Sequence, residues 1–376
     1  MPGSISTGRR ELRSVPPYLL NRAAPPPDRA QIVAALQVAL SSWQSAREPK
    51  QAVQVIIDVP GSGTERAVTR LARKQGWQLM GPPAPGQILN GGTAWLDQIM
   101  ENSLTPLVIP RLGKCYLRNQ DGLELMSRLL DWLQTTRRRC LIACNSWAWA
   151  FLVKALQIDV MLPTPLVLAP FDGARLQFWL PALARRIHKD IFVFRSLDDG
   201  RLMFPMADSY SQEASHYATY EKIDRYGDWV GVPYFLKQLA AYSRGMPEIA
   251  RVLWQQCLQI SADVQIDTRA QQEAAADQRY TVWVRPWSQL KLPSVPLSVG
   301  TNELFLLHTL LLHGGASADL LGQLLPLSAN EVRQILQWLS GTGVVDVEDG
   351  VWFVTLPGYP AVHSRLANEG YLVDAF

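Results

Sequence analysis

A short stretch in the first quarter of the chain constrains the fold more than any other part of the sequence. Residues 53–57 (VQVII) are mostly apolar, as expected for a buried β-strand, and a glycine turn (PGSG, residues 60–63) follows them. The helical pattern after this turn has four apolar residues on one face, namely Ala67, Val68, Leu71 and Ala72. A strand, a glycine turn and a helix in this order predict one unit of a parallel α/β sheet.

The same stretch has the shape of a phosphate-binding loop, in which backbone amides and the helix N-terminus face the phosphates. The pattern GxxxxGK(S/T) requires Lys and Ser/Thr directly after the last glycine. Those two positions hold Thr64 and Glu65, and the position of the first glycine holds Asp58. A carboxylate at the position of the magnesium ligand, with no lysine beside it, repels a triphosphate. We therefore expect the shape of the loop without its phosphate chemistry.

The composition predicts a folded, soluble protein of two or three domains. The chain has 376 residues, of which 48% are hydrophobic and 18% charged, so a disordered chain is excluded. No signal peptide is visible, and the longest apolar run is far shorter than the roughly 20 residues that span a bilayer. Four cysteines without a CxxC pair favour buried, reduced thiols. We predict a cytoplasmic protein.

Charge is distributed unevenly along the chain, whose net charge is +3. The C-terminal module (residues 300–376) carries two basic and eight acidic residues, which gives 2 − 8 = −6. Residues 1–299 therefore carry +3 − (−6) = +9. A basic body and an acidic C-terminal module favour docking of one on the other or head-to-tail association of two chains.

Further strands and helices alternate along the chain, which predicts a fold of class α/β with a parallel-sheet core. Apolar strands are expected at 106–110 and 140–144, and a strongly periodic helix at 122–135. After residue 228 the pattern becomes helical. Three helices and a hairpin with an Asp-Gly turn are expected from residue 303 to residue 355, and this order predicts a winged helix-turn-helix.

These patterns divide the chain into five predicted segments. They are a flexible, Pro-rich arm (1–28), the α/β core (29–227), a helical lid (228–265), a linker with an extended segment (266–299) and the winged helix-like domain (300–376). Residues 196–227, rich in Asp, Ser and Tyr, are interpreted as an insertion into the core.

The order of these features resembles the AAA+ branch of the P-loop ATPases, including their signalling and initiator-like relatives. The resemblance covers residues 29–265: the glycine loop, a second-motif strand at 106–110, a first-sensor strand that ends at Asn145, and the lid. It implies a nucleotide pocket formed by Gly61, Ser62, Gly63, Thr64 and Asn145.

The chain departs from that family at four positions that carry chemistry, although Asn145 matches its polar first-sensor residue. The second-motif strand of the family ends in an acid that organises magnesium, whereas Pro110 and Arg111 follow here. Glu248 stands where the second-sensor arginine belongs. Because phosphoryl transfer depends on positioning and charge stabilisation by these groups, we predict no ATP hydrolysis and no required cofactor. Residual ATP or ADP binding in the pocket is left open, and a glycine turn that only connects strand and helix is the alternative.

Two basic clusters suggest contacts with partners. Arg137, Arg138 and Arg139 form one cluster, and Arg185, Arg186 and Lys189 form the other; each is also consistent with a solvated surface. The C-terminal module is too acidic to bind DNA well, since neutralisation of phosphates by Lys and Arg provides most DNA affinity.

The leading functional hypothesis is a catalytically inactive AAA+-like scaffold, adaptor or assembly subunit that acts through protein contacts or as an oligomer. The first alternative is a DNA-associated regulator or initiator-like protein that uses the basic clusters of the core. The second is a nucleotide-binding switch with non-standard residues.

Overall fold

A computed structural model of the chain describes residues 11–27, 29–46, 51–101, 105–119, 121–187, 191–204, 231–262 and 279–376, with only the backbone at 185–187, 191 and 279. The chain divides into two compact units. One unit combines Met1–Pro27 with Pro170–Lys291, and the other combines Asp28–Ala169 with Leu292–Phe376. The second unit contains both the glycine loop and the C-terminal module.

The helices within the described residues are α1 (Pro17–Ala23), α2 (Arg29–Ala39), α3 (Ser41–Ser45), α4 (Thr64–Gln75), α5 (Pro85–Leu89), α6 (Thr93–Met100), α7 (Glu124–Thr135), α8 (Ser146–Leu156), α9 (Ile158–Met161), α10 (Gly173–Ile187), α11 (Tyr234–Tyr242), α12 (Pro247–Cys257), α13 (Thr301–His313), α14 (Ala318–Leu324), α15 (Ala329–Gly341) and α16 (Tyr359–Asn368). The strands are β1 (Leu12–Ser14), β2 (Val53–Asp58), β3 (Gln78–Leu79), β4 (Leu107–Ile109), β5 (Cys140–Asn145), β6 (Leu166–Val167), β7 (Ile191–Ser196), β8 (Leu258–Ser261), β9 (Arg279–Val284), β10 (Ala316–Ser317), β11 (Val345–Glu348) and β12 (Val351–Val354).

A five-stranded parallel sheet forms the centre of the second unit, as the alternation of strands and helices predicted. Its strand order is β3-β4-β5-β2-β6. The strand β5 therefore lies between β4 and β2. Asp58 at the end of β2 is in register with Asn145 at the end of β5. Buried apolar side chains of β2, β4 and β5 pack against α2, α3 and α4, and this packing fixes the helix that follows the glycine loop.

The C-terminal module contains the helices and the hairpin expected from the sequence. The helices α13, α14 and α15 are followed by β11 and β12, which pair antiparallel, with β10 on the other side of β12. Asp349 and Gly350 connect the two hairpin strands, both with positive φ, as this turn requires. Ser328 caps α15 as predicted, because its hydroxyl accepts the amide hydrogen of Glu331.

The first unit has a four-stranded sheet in the order β1-β8-β9-β7. The two lid helices predicted after residue 228 are present as α11 and α12. Because β7 pairs in parallel with β9, the residues after 170 belong with the lid segment, whereas the sequence prediction placed them in the core up to residue 227. Residues 205–230, which include most of the predicted insertion, lie outside the described residues.

The predicted flexible arm is wrong for residues 11–27. The strand β1 pairs antiparallel with β8, and α1 buries Leu19 and Ala23. The proline pair of this segment starts the helix, since Pro17 occupies its first turn, where proline is well tolerated. A three-residue strand and a seven-residue helix are too short to give a recognisable hydrophobic period.

Two sequence expectations about the whole chain can be compared with the described residues. In that part of the chain no helix combines the length and the apolar character needed to cross a bilayer. All four cysteines are free and buried, as expected.

Candidate functional site

Three polar positions meet at the carboxyl edge of the parallel sheet, which is where the strands β2, β4 and β5 end. Asp58 and Asn145 end neighbouring strands, and Arg111 follows β4 by two residues. A cavity of about 220 Å³ opens at this edge. Its lining includes the polar side chains of Asp58, Glu65, Arg111, Lys114, Asn145 and His313.

The glycine loop turns from β2 into α4 through two glycines in the left-handed backbone region. Gly61 and Gly63 have φ values of 82° and 74°, a region that residues with a Cβ rarely adopt, so glycine is required at both positions. Gly63 directly precedes α4, and the side chains of Ser62 and Thr64 are buried beside it. The four predicted pocket residues of this loop therefore lie together at the start of α4, as a turn between strand and helix requires.

The carboxylate of Asp58 occupies donors that such a loop otherwise offers to a bound anion. The hydroxyl of Ser62 donates to Asp58 Oδ1 at 2.8 Å, and the backbone amide of Glu65 donates to the same oxygen at 3.1 Å. This amide belongs to the first turn of α4, where the positive end of the helix dipole favours an anion. The chain thus supplies its own anion to the loop, from the position of the first glycine in the phosphate-binding pattern.

Burial raises the pKa of Asp58 to about 6, against the effect of the hydrogen bond from Ser62, which lowers it. The folded state therefore holds a proton on Asp58 between pH 4 and pH 6, where the unfolded chain has lost it. The protonated carboxyl of Asp58 therefore stabilises the folded protein near pH 4, and this stabilisation is lost as the pH rises through about 6.

Replacing Asp58 by Asn is expected to stabilise the protein at neutral pH. The amide oxygen of Asn still accepts from Ser62 and Glu65, and no charge is buried. The difference in unfolding free energy between variant and wild type should grow from about zero at pH 4 to about 2 kcal/mol at pH 7. Urea unfolding of both proteins at several pH values measures this difference, and a flat difference would contradict the buried carboxylate.

The histidines of α13 do not change this difference in unfolding free energy. Burial lowers the pKa of His308 and of His313 to about 4, so both are neutral in the folded protein. Their contribution has the opposite sign, because the unfolded chain binds these protons first as the pH falls. Both proteins share it, and it cancels in the difference.

Glu65, which occupies the Ser/Thr position of the phosphate-binding pattern, forms an ion pair with Arg111 after β4. Arg111 Nε lies 2.7 Å from Glu65 Oε1. The two side chains are 49% and 27% exposed, so the pair contributes at most about 1 kcal/mol to stability. Its chemical consequence is larger, because Arg111 neutralises the carboxylate that follows the glycine loop.

Asn145 caps α8 and also contacts the C-terminal module. Its Oδ1 accepts the amide hydrogen of Ala148, so its side chain caps the first turn of α8. Its Nδ2 donates to the carbonyl oxygens of Leu311 and Leu312 at 3.3 and 3.2 Å. These carbonyls belong to the last turn of α13, whose C-terminal end therefore lies against the carboxyl edge of the sheet.

Sequence reasoning missed the other residues that α13 and the turn after β4 bring to the cavity. His313 ends α13 and is buried, with its ring 5.2 Å from that of Tyr116. Lys114 lies in a 3-10 turn (Leu112–Lys114), and burial lowers its pKa, as does the charge of Arg111. In the sequence, His313 is marked only by the two glycines that follow it, and Lys114 only by its position three residues after Arg111. Neither pattern predicts that two segments about 200 residues apart meet at one cavity.

A buried polar network joins the C-terminal residues to α8. Asp374 Oδ2 accepts hydrogen bonds from the hydroxyls of Ser146 and Tyr359, and His363 Nε2 lies 3.1 Å from Asp374 Oδ1. Trp147 Nε1 donates to the Tyr359 hydroxyl at 3.2 Å. The aspartate stands between the serine and the histidine, whereas a nucleophilic triad needs the histidine on the serine. The network holds the C-terminal module against α8 rather than activating Ser146.

The first predicted basic cluster is mostly used inside the fold. Arg138 donates to the carbonyl oxygens of Thr105 and Ile99 and to the side chain of Gln78. Arg139 donates to the carbonyl oxygen of Ala46. Arg137 alone of the three is exposed. In the second cluster, Arg185 and Arg186 lie in α10 with only their backbone described, and Lys189 lies outside the described residues.

Comparison with known proteins gives low similarity. No family model and no curated protein matches the chain. Among solved structures, the Thermotoga maritima RuvB Holliday junction branch migration motor is 13% identical over 92% of this chain and 95% of its own, with a TM-score of 0.35. The Aeropyrum pernix ORC1 protein in complex with DNA is 15% identical over 96% and 97%, also with a TM-score of 0.35. TM-scores of this size do not establish a common fold or family.

Proposed function

We propose that this protein is a catalytically inactive AAA+-like scaffold or adaptor that acts through protein contacts. The proposal rests on one observation: hydrogen-bond donors of the glycine loop are already bonded to a carboxylate of the same chain. The carboxylate of Asp58 accepts from the loop, and Glu65 pairs with Arg111. A nucleotide triphosphate at this edge would meet the carboxylates of Asp58 and Glu65, and the glycine loop lacks the lysine that the phosphate-binding pattern places directly after its last glycine. Lys114, which also lines the cavity, comes from the turn after β4 and not from the loop.

The position of the C-terminal module supports the same proposal. Leu310, Leu311 and His313 of α13 line the cavity together with the glycine loop. Carbonyl oxygens at the C-terminal end of a helix carry partial negative charge, which disfavours a phosphate beside them. The edge that binds nucleotide in an active enzyme is therefore used here for a contact within the chain.

We propose that α13–α15 and the hairpin β11–β12 form a winged helix that contacts protein. The outward face of α15 exposes Asn330, Glu331, Arg333, Gln334 and Gln337. Its single arginine, Arg333, lies 3.8 Å from the carboxylate of Asp319, and the helix offers no other cation to a phosphate. Trp338 on the same helix is 42% exposed, and an exposed tryptophan is a frequent anchor of protein interfaces.

A photo-crosslinking experiment tests the protein contact. Trp338 is replaced by benzoylphenylalanine, and Gln75 at the exposed end of α4 receives the same probe as the matched control. We expect protein adducts at position 338 that are absent at position 75. The purified partner should then bind Trp338→Ala at least about tenfold more weakly than wild type. Adducts to nucleic acid at position 338, or equal binding by the variant, would contradict the assignment.

A further inference from the structure

An arginine groove lies along the exposed side of the glycine-loop helix α4 and shares Glu65 and Arg111 with the cavity at the carboxyl edge of the sheet. It consists of seven residues: Arg29, Glu65, Arg66, Thr69, Arg70, Arg73 and Arg111. Five of these side chains are cationic and one is anionic, so the groove has a charge of 5 − 1 = +4. Its volume is about 350 Å³, larger than that of the cavity beside it.

The helix α4 arranges the central arginines in one row. Arg66, Arg70 and Arg73 are spaced i, i+4 and i+7, so they lie on one face of the helix over about 10 Å. All three are exposed, while the opposite face of α4 is buried against the sheet. The side chains of Arg66 and Arg73 form no hydrogen bond or ion pair with other described residues, whereas Arg70 has a contact within the chain.

Neighbouring elements extend this row to both sides. Arg29 begins α2, which packs on α4, and Arg111 follows β4 and remains 49% exposed while paired with Glu65. Like charges at these spacings repel one another, and an isolated helix with this face would be destabilised. A polyanion in the groove would remove that repulsion.

We propose that the arginine groove binds the phosphate backbone of nucleic acid without regard to sequence. Guanidinium groups pair with phosphate oxygens through two parallel hydrogen bonds, and every cation in the groove is an arginine. The lining contains no apolar or aromatic side chain. A protein interface needs an apolar anchor, so an acidic protein fits the groove less well than a chain of phosphates does.

This assignment goes beyond the scaffold function and does not depend on it. It also differs from the basic clusters expected from the sequence, because Arg138 and Arg139 donate to backbone carbonyls inside the fold. The acidic C-terminal module stays outside the nucleic-acid contact. A protein that binds nucleic acid through the arginine groove and a protein through the C-terminal module would bring its protein partner to nucleic acid.

Salt dependence of binding is the decisive observable. We would measure binding of a fluorescein-labelled 30-base-pair duplex of random sequence by anisotropy, between 50 and 300 mM KCl. Neutralisation of four to five phosphates should give a slope of log K against log [salt] of about −4. The triple variant Arg66→Gln/Arg70→Gln/Arg73→Gln should reduce the magnitude of that slope by about 3.

Two further variants separate the groove from general charge. Arg137→Gln removes an exposed arginine outside the groove and should leave affinity and slope within error. Arg66→Lys/Arg70→Lys/Arg73→Lys keeps the charge and should keep the slope while weakening binding, since lysine lacks the two-pronged contact. Circular dichroism of each variant confirms that it is folded.

Three results would overturn the proposal. Absence of duplex binding at 50 mM KCl would refute it directly. An unchanged slope in the triple glutamine variant would place the contact elsewhere. Equal affinity for a 20-residue polyglutamate at the same salt concentration would assign the groove to an acidic protein segment instead. Binding of ATP and ADP is measured in a separate titration. A failure of the scaffold proposal would appear there, and not in the salt dependence of duplex binding.

Discussion

Replacing Asp374 by alanine is expected to lower the free energy of unfolding by about 4 kcal/mol. The carboxylate is buried, and its removal leaves the hydroxyls of Ser146 and Tyr359 and the ring of His363 without their shared acceptor. Each buried polar group that loses its partner costs about 1–3 kcal/mol. Urea unfolding followed by circular dichroism, with hydrogen exchange of α8 and α16, measures the effect.

Asp319→Ala is the matched control for this substitution. Asp319 lies in the same C-terminal module, but its side chain is 84% exposed, so its loss should change stability by less than about 0.5 kcal/mol. If the two variants were equally stable, the buried network would not hold the module in place. Asp374→Asn should have an intermediate effect, because an amide oxygen replaces only part of the acceptor capacity.

Replacing Asn145 by aspartate is expected to separate the end of α13 from the carboxyl edge of the sheet. Aspartate caps a helix as well as asparagine does, so the bond to the Ala148 amide is kept. The two bonds to the carbonyls of Leu311 and Leu312 are lost, and a carboxylate faces two carbonyl oxygens and Asp58. We expect a loss of about 3 kcal/mol.

Hydrogen exchange locates this effect. Amides in the last turn of α13 should exchange faster in Asn145→Asp, while those in the first turn of α8 should remain protected. In Asn145→Ala both regions should exchange faster, because the cap is lost as well. Unchanged protection of α13 in the aspartate variant would mean that Asn145 does not hold the module.

The sequence predicted the elements whose side chains follow a period or a local rule. The apolar strands at β2 and β5, the lid helices α11 and α12 and the capped helix α15 were expected close to their observed positions. The departure of the glycine loop from the phosphate-binding pattern was also visible in the sequence, since Asp58, Thr64 and Glu65 occupy fixed positions after a recognisable strand. Each of these inferences uses residues within one short window.

The contacts that define the candidate site were not predictable in this way. The pair Arg111–Glu65 joins residues 46 positions apart, and the bonds of Asn145 reach α13 across 166 and 167 positions. No periodicity or motif encodes such distances. The arginine row on α4 was present in the sequence as Arg66, Arg70 and Arg73, but only the packing of α2 on α4 and the position of Arg111 make it a groove.

The central claim is that the glycine loop no longer binds nucleotide, and calorimetric titration of the purified protein with ATP and with ADP tests it most directly. Each titration is done with and without magnesium. The variant Gly63→Glu, whose loop is blocked by a side chain, is the reference. The account predicts no heat of binding at millimolar nucleotide, and wild type indistinguishable from the variant. Micromolar binding that Gly63→Glu abolishes would contradict it, because the loop would then hold phosphates despite Asp58 and Glu65.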